Sequence, residues 1–387
     1  MGIRDMYKVL AQKDLKPPIA DLAQLPSNCM LEIDLMGTSM LWARMRRLLT
    51  EDYNETAARS AGMQLASYMR SLFVGDGRTV TVHVDGGYNA EKQQEHEKRA
   101  GDAVKTLEKL DTVLQHMKSR SNHGKHTCKT VRDKIKKTLS ALFVLTQADK
   151  DSLCEAMSSF DPNNITVCRC ATEADLCIAR SLDRELVPGH KLVVSSDSDL
   201  LVYLPVDRVL RSIPKTTSFA WYTKADVRQA LQLPSDQHLL LLGIVAANDY
   251  GRNVRSLGIV SNCDIIRDIP LGSIEDMLES YVAAASAQVD WQVDRVLFDA
   301  SKRVMHDLVD TPLPLVDRSN QLFLDRLHEF RGLISQRHEN ARQARALKQQ
   351  DDLPFYVAPH SHQNQFRNHF TSKDTILRTQ KVVDLNA

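Results

Sequence analysis

The chain has 387 residues, 43% of them hydrophobic, and its charges nearly cancel, with 50 Lys and Arg against 49 Asp and Glu. That apolar share supplies a sizeable core for one large or two ordinary domains, and the balance means that affinity for a polyanion has to come from local patches. The longest apolar run, Leu239 to Ala247, is far too short for a bilayer span, and the first ten residues lack a signal-peptide core; the expectation is a protein without membrane contact in a reducing, intracellular compartment.

Seven cysteines, at 29, 128, 154, 168, 170, 177 and 263, include no CxxC pair, which speaks against both a disulfide framework and a zinc knuckle. Met-Gly at the start resembles a myristoylation signal, but Met6 stands where that signal needs Ser or Thr, and the reading is set aside.

Taken in order, a short amphipathic helix, IRDMYKVLAQ, leads to the strand NCMLEIDLMG, which ends at Asp34. An Asp closing a buried parallel strand is costly without a partner. The next helix, TSMLWARMRRLL, carries Met40, Trp42, Arg46 and Arg47; a core-facing helix with a solvated basic side is the plainer account of it, and a nucleic-acid contact the sharper one. A second strand, RTVTVHVDGGYN, again ends in an acid, Asp85, before the Gly86-Gly87 turn. Lys92 and Arg99 follow, seven residues apart and so on one helical face. From Lys98 to Lys137 basic residues outnumber acids, in two predicted helices separated by SRSNHGKH. Val104, Leu107, Leu114 and Met117 give the first of these a narrow apolar stripe, suited to a hairpin, and its basic surface suits a phosphate backbone.

The stretch from Thr172 to Leu200 places Glu173 and Asp175 at the start of a helix and Asp197 and Asp199 at the end of the strand KLVVSSDSDL. Each pair alone reads as a helix cap or a turn. With Asp34 and Asp85 ending two further strands, the pattern is instead that of one sheet edge gathering acids. Like charges at close quarters demand a cation, and oxygen ligands with no Cys or His in register suit Mg²⁺ or Mn²⁺ rather than zinc. The strand VDRVLRSI and the helix TKADVRQALQL, with Thr223 as its N-cap, follow. The buried helix LLLLGIVAA then delivers Asp249 into the loop NDYGRNV, where Gly251 and Gly258 mark tight backbone that can offer amides to a phosphate. The rest is helical to about residue 350.

With these residues in place, the chain resembles the flap-endonuclease family of structure-specific 5′ nucleases over roughly its first 310 residues. The resemblance lies in ordered motifs: MGI, IDLMGTSM, VDGGYNAEKQQEHEKR, TEADLCIA, SSDSDLL and LLLLGIVAANDYGRNVRSLGIVSNCDII. It implies a PIN-like α/β fold, a mixed, mostly parallel sheet flanked by helices, with a helical arch insertion and a C-terminal helical region. The boundaries expected are a nuclease region at 1–99, a basic arch at 100–145, an internal nuclease region with a duplex-binding turn at 146–270, closing helices at 271–350 and a tail at 351–387.

By the same resemblance, two Mg²⁺ (or Mn²⁺) ions are implied, one served by Asp34, Asp85, Glu173 and Asp175, the other by Asp197, Asp199 and Asp249. Lys92 and Arg99 would hold the scissile phosphate, and Gly2 would lie close to the site. Met40, Trp42, Arg46, Arg47, Gly251 and Gly258 would contact nucleic acid, although Met40 stands where the family has an aromatic residue, and SLG at Ser256 to Gly258 where it has GIG. The activity implied is hydrolysis of DNA phosphodiesters at a 5′ flap or single-stranded 5′ end, leaving a 5′ phosphate, by a monomer resident in the nucleus. The alternatives are an RNA-directed nuclease and a non-catalytic nucleic-acid-binding regulator on the same fold; the intact set of seven acids with Lys92 and Arg99 favours catalysis. QNQFRNHF, Gln363 to Phe370, resembles a degenerate sliding-clamp peptide, and His360, His362 and His369 do not make a credible metal site.

Overall fold

The computed structural model describes residues 2–21, 24–51, 53–54, 56–122, 129–184, 191–213, 216–289, 291–314 and 320–351. The clamp-like segment, the three tail histidines, Cys128 and the second half of SRSNHGKH lie outside them. A first compact unit ends at Leu333 and a second comprises Ile334–Ala387.

Helix α1 (Met6–Gln12) precedes a two-residue strand β1 (Ile19–Ala20), strand β2 (Met30–Asp34) and helices α2 (Ser39–Glu51) and α3 (Ala57–Phe73). Strand β3 (Thr79–Val84) leads through a 3₁₀ turn at Ala90–Lys92 into the long α4 (Gln93–Asn122), then α5 (Lys129–Leu142) and α6 (Gln147–Phe160). Next come β4 (Ile165–Arg169), α7 (Ala174–Asp183), β5 (Lys191–Val194), β6 (Arg208–Ser212) and β7 (Phe219–Thr223). The chain continues through α8 (Lys224–Leu231), α9 (Asp236–Val245), α10 (Ile259–Arg267), α11 (Ile274–Gln288), α12 (Asp299–Met305) and α13 (Gln321–Asp351).

The strands form one seven-stranded sheet in the order β1-β7-β6-β5-β2-β3-β4. The five strands from β6 to β4 are parallel, and β7 and β1 join antiparallel at one end. The central strands are almost continuously buried, as strands covered on both faces must be. Chain order runs outward in opposite directions from the adjacent strands β2 and β5, so this sheet has its topological switch between them, the place where open α/β sheets leave a crevice beyond the strands' C-terminal ends.

Helix α9 is buried from His238 to Val245, which its run of four leucines required. Thr223 caps α8, its side chain accepting from the Asp226 amide. Thr146 caps α6 in a reciprocal capping box with Asp149.

The basic hairpin is formed by α4 and α5, with α4 beginning directly after the Lys92 turn rather than near residue 100. Its apolar seam differs from the one expected. Leu110, Leu114 and Met117 are buried against Ile135 and Leu139 of α5, while Val104 is 55% exposed. The seam runs at i, i+4, i+7 from Leu110, and Val104 falls on a different face of α4. The first turns of α13 pack Phe323 onto Phe143 and Tyr53. Arg326 and Glu329 there pair with Asp111 and Lys118 of α4, at 2.6 and 2.7 Å.

Candidate active site

Four neighbouring strands end in the acids read from the sequence: Asp34 is the last residue of β2, Asp85 follows β3, Glu173 and Asp175 follow β4, and Asp197 and Asp199 follow β5. Asp249 reaches the same edge from the loop after α9. Glu173 occupies the N-cap of α7 but makes no capping bond there. Its carboxylate takes the Lys92 ammonium instead, at 2.8 Å, and Lys92 also lies 3.8 Å from Asp249. Arg99, one face further along α4, reaches Asp249 at 3.0 Å and Glu95 at 3.0 Å. The cap explanation for Glu173 therefore fails, and the sequence-distant acids meet in one cleft.

Most of the acids are oriented by neighbours within the fold. Asp34 accepts from the Gly37 amide (2.7 Å) and the Ser195 hydroxyl (2.9 Å), Asp85 from the Ala174 amide (2.7 Å), and Asp175 from the hydroxyls of Tyr203 and Tyr250 (3.2 and 3.1 Å). Asp199 differs, because its Oδ1 is buried with no hydrogen-bond partner among the described residues. A buried carboxylate oxygen left alone is expensive unless a cation completes it.

Electrostatics agree with the packing. Burial first, and then the charges of Asp197 and Asp175, push Asp34 up to about 7; burial and Asp175 push Asp197 up to about 6. Asp85 and Asp199 are raised further by burial and by Glu173 and Asp197 respectively, and Asp175 is raised by burial against the opposing pull of Lys92. Burial alone lowers Lys92, but Glu173, Asp175 and Asp249 outweigh it and hold the ammonium well above its ordinary range. Seven acids thus outnumber the cations Lys92, Arg99 and Lys150 that face them, and divalent cations fit the surplus. A further sign of fit is Gly37, where any Cβ would collide with the Asp34 carboxylate. Among the described residues these acids do not close into a compact three-ligand cage, an arrangement suited to ions that keep part of their water shell.

Gly2 lies at this edge with φ +84°, and a Cβ there would strike Asp197 and Ser198. Beside it opens a cavity of about 650 Å³ lined by Arg4, Lys8, Lys98 and Arg99 together with Asn248 and Asp249. Arg4, Lys8 and Lys98 were not singled out by sequence reasoning, nor were two residues deeper in. Lys150, on α6, donates to the Gly86 carbonyl and faces Asp85 and Glu173. Tyr250 lies under the Lys92 ammonium, 4.7 Å from ring centre to nitrogen. The sequence signal for Tyr250 was its place next to Asp249; Lys150 had none, because its neighbourhood is created by α6 packing on α3 and β4.

Met40, Trp42, Arg46 and Arg47 lie along α2, where Arg46 stacks over the Trp42 ring at 5.4 Å. Gly251 is tight, since a Cβ would meet Ser301 at 2.7 Å, but a Cβ at Gly258 would meet nothing within 4 Å. Gly258 is the extended N-cap of α10, and the expectation of tight backbone there is corrected. The statement that no Cys or His stands in register with the acids is also corrected. His83 lies two residues before Asp85 and Cys177 two after Asp175, and with Cys168 and Cys170 they form a separate group drawn from β3, β4 and α7.

No protein-family model matches the chain, and no curated protein matches its sequence. Among solved structures it is similar to the catalytic core of Rad2 in complex with DNA substrate, at 14% identity and a TM-score of 0.48 over 85% of this chain and 94% of that one. It is similar also to human GEN1 in complex with Holliday junction DNA, at 13% identity and a TM-score of 0.45 over 85% and 72%. A third is the bacteriophage T5 D15 flap endonuclease, at 14% identity and a TM-score of 0.37 over 78% and 99%.

Proposed function

We propose that the protein is a divalent-metal-dependent nuclease that hydrolyses phosphodiester bonds in DNA at a 5′ flap or single-stranded 5′ end. The observation that carries this reading is the meeting of seven acids from five separated segments around the buried Lys92, with one Asp199 oxygen left unpartnered. Asp34, Asp85, Glu173, Asp175, Asp197, Asp199 and Asp249 would hold two Mg²⁺ or Mn²⁺ ions. When bound, such ions supply an activated water and charge neutralisation at the leaving oxygen. Lys92 and Arg99 sit where a scissile phosphate entering the cleft exchanges their carboxylate partners for its own oxygens, so each can stabilise charge developing on the phosphoryl oxygens. Arg4, Lys8 and Lys98 at the mouth supply the local positive field that the net charge does not. The hairpin of α4 and α5, rising from the Lys92 turn, suits the passage of a single strand.

The test is cleavage of a 5′-flap duplex, a blunt duplex and single-stranded RNA of matched length in Mg²⁺. Preferential cutting of the flap, leaving 5′ phosphates, is expected. Cutting of RNA alone would replace the DNA reading, and survival of all three substrates with retained binding would make this a nucleic-acid-binding protein without catalysis.

A further inference from the structure

We propose that His83, Cys168, Cys170 and Cys177 bind a single zinc ion that fastens β3, β4 and α7 together behind the acidic cleft. His83 and Cys168 are direct register partners in the parallel pair β3–β4. Cys170 lies one residue past the end of β4, and Cys177 is in the first turns of α7. One ligand atom from each side chain falls within 4.8 Å of all the others. The Sγ atoms of Cys168 and Cys177 are 3.5 Å apart, and Cys170 Sγ is 3.9 Å from His83 Nδ1. Zinc with bonds of about 2.3 Å to sulfur and about 2.0 Å to nitrogen in a tetrahedron separates its ligands by roughly 3.5–3.8 Å. The group therefore needs adjustments of less than about 1 Å to close on one ion. It is too tight for an iron–sulfur cluster, whose ligands stand on different metal atoms.

An independent observation concerns the far side of the imidazole. His83 Nε2 is 2.5 Å from the buried carboxylate of Glu32, and Glu32 is itself held by Lys191 at 3.1 Å and by the Ser181 hydroxyl at 3.3 Å. A carboxylate on one ring nitrogen fixes the tautomer and turns the other nitrogen towards the metal, the outer-shell arrangement of zinc-bound histidines. Three thiolates and one imidazole form a closed, soft donor set suited to structural zinc rather than to the oxygen-seeking ions of the cleft. Because Glu173 and Asp175 lie between Cys170 and Cys177, and Asp85 two residues beyond His83, the zinc would set the positions of three of the cleft's acids. The ligation itself does not depend on the nuclease reading.

The experiment measures metal by elemental mass spectrometry in the full chain purified under reducing conditions. One equivalent of zinc per chain is expected, falling at least tenfold in Cys168→Ser and Cys177→Ser and retained in Asp199→Asn, which separates this site from the cleft. Replacement by Co²⁺ in the wild-type chain should give thiolate charge-transfer absorption and the intense visible bands of a tetrahedral ion, a readout that does not require the variants to fold. Zinc absent from the purified chain together with no such spectrum on Co²⁺ titration overturns the proposal, as does a Cys168–Cys177 disulfide persisting in the reduced protein. Zinc lost from Asp199→Asn but kept in the cysteine variants would place the ion in the acidic cleft and equally refute it.

Discussion

Asp199 is the residue on which the chemistry can be tested most cleanly. Its Oδ1 is buried and unpaired, and its pKa is raised by burial and by Asp197 and Asp249, so its charge is held at a cost that the surrounding protein does not offset. Asp199→Asn removes that charge while keeping the volume. The expected result is a loss of cleavage of at least 10³-fold with DNA affinity changed less than about threefold, as measured by single-turnover kinetics beside a binding titration. A variant that cuts at the parental rate would remove Asp199 from the ligand set. The residue scale also shows where motif reading stops. Asp34, Asp85, Glu173 and Asp175 are visible as acids at element ends, whereas Tyr250 beneath Lys92 and Lys150 beside Asp85 are ordinary residues in sequence, given their surroundings by packing.

At the scale of elements, α6 joins fold to site. Its capping box ties Thr146 to Asp149 by reciprocal bonds of 3.1 Å, reinforced by Thr146 Oγ1 donating to Asp149 at 2.7 Å, and the helix packs on α3 while presenting Lys150 to Gly86. Thr146→Ala removes the cap and should cost about 1 kcal/mol in urea unfolding, with cleavage reduced less than tenfold. A loss above about 3 kcal/mol would mean that Asp149, left beside Tyr53, is stranded rather than merely uncapped. The hairpin of α4 and α5 was readable as helical and basic from its composition. Leu114 and Met117 of its seam were readable too; Leu110 in place of Val104 was not, because the two are equally apolar and only their burial separates them.

Over the whole molecule, the gathered acids couple stability to pH. Asp34 and Asp197 have folded-state pKa values of about 7 and about 6, above that of an aspartate in an open chain, so between those limits the fold holds protons that the unfolded chain has released. Stability is then highest near the unfolded value and declines as pH rises to the folded ones. The Mg²⁺-free protein is expected to melt at a higher temperature at pH 5 than at pH 7.5, and saturating Mg²⁺ to raise the melting temperature more at pH 7.5 than at pH 5. Asp34→Asn should flatten the Mg²⁺-free profile; an unaltered slope in that variant would show that other groups set it. By itself the sequence determined the α/β class, the strands ending in acids, the capped and buried helices, and the candidate acids with Lys92 and Arg99, because periodicity, breakers and charge at element ends are local properties of the chain. The tertiary structure decided which strands are neighbours, and so that β5, β2, β3 and β4 bring their acids to one edge. It also decided that His83 faces Cys168 across a parallel pair while Cys177 arrives from a helix. Those contacts join residues separated by up to 94 positions, and a spacing rule for metal ligands reads only neighbours along the chain, whereas strand register is set by burial of whole faces against one another.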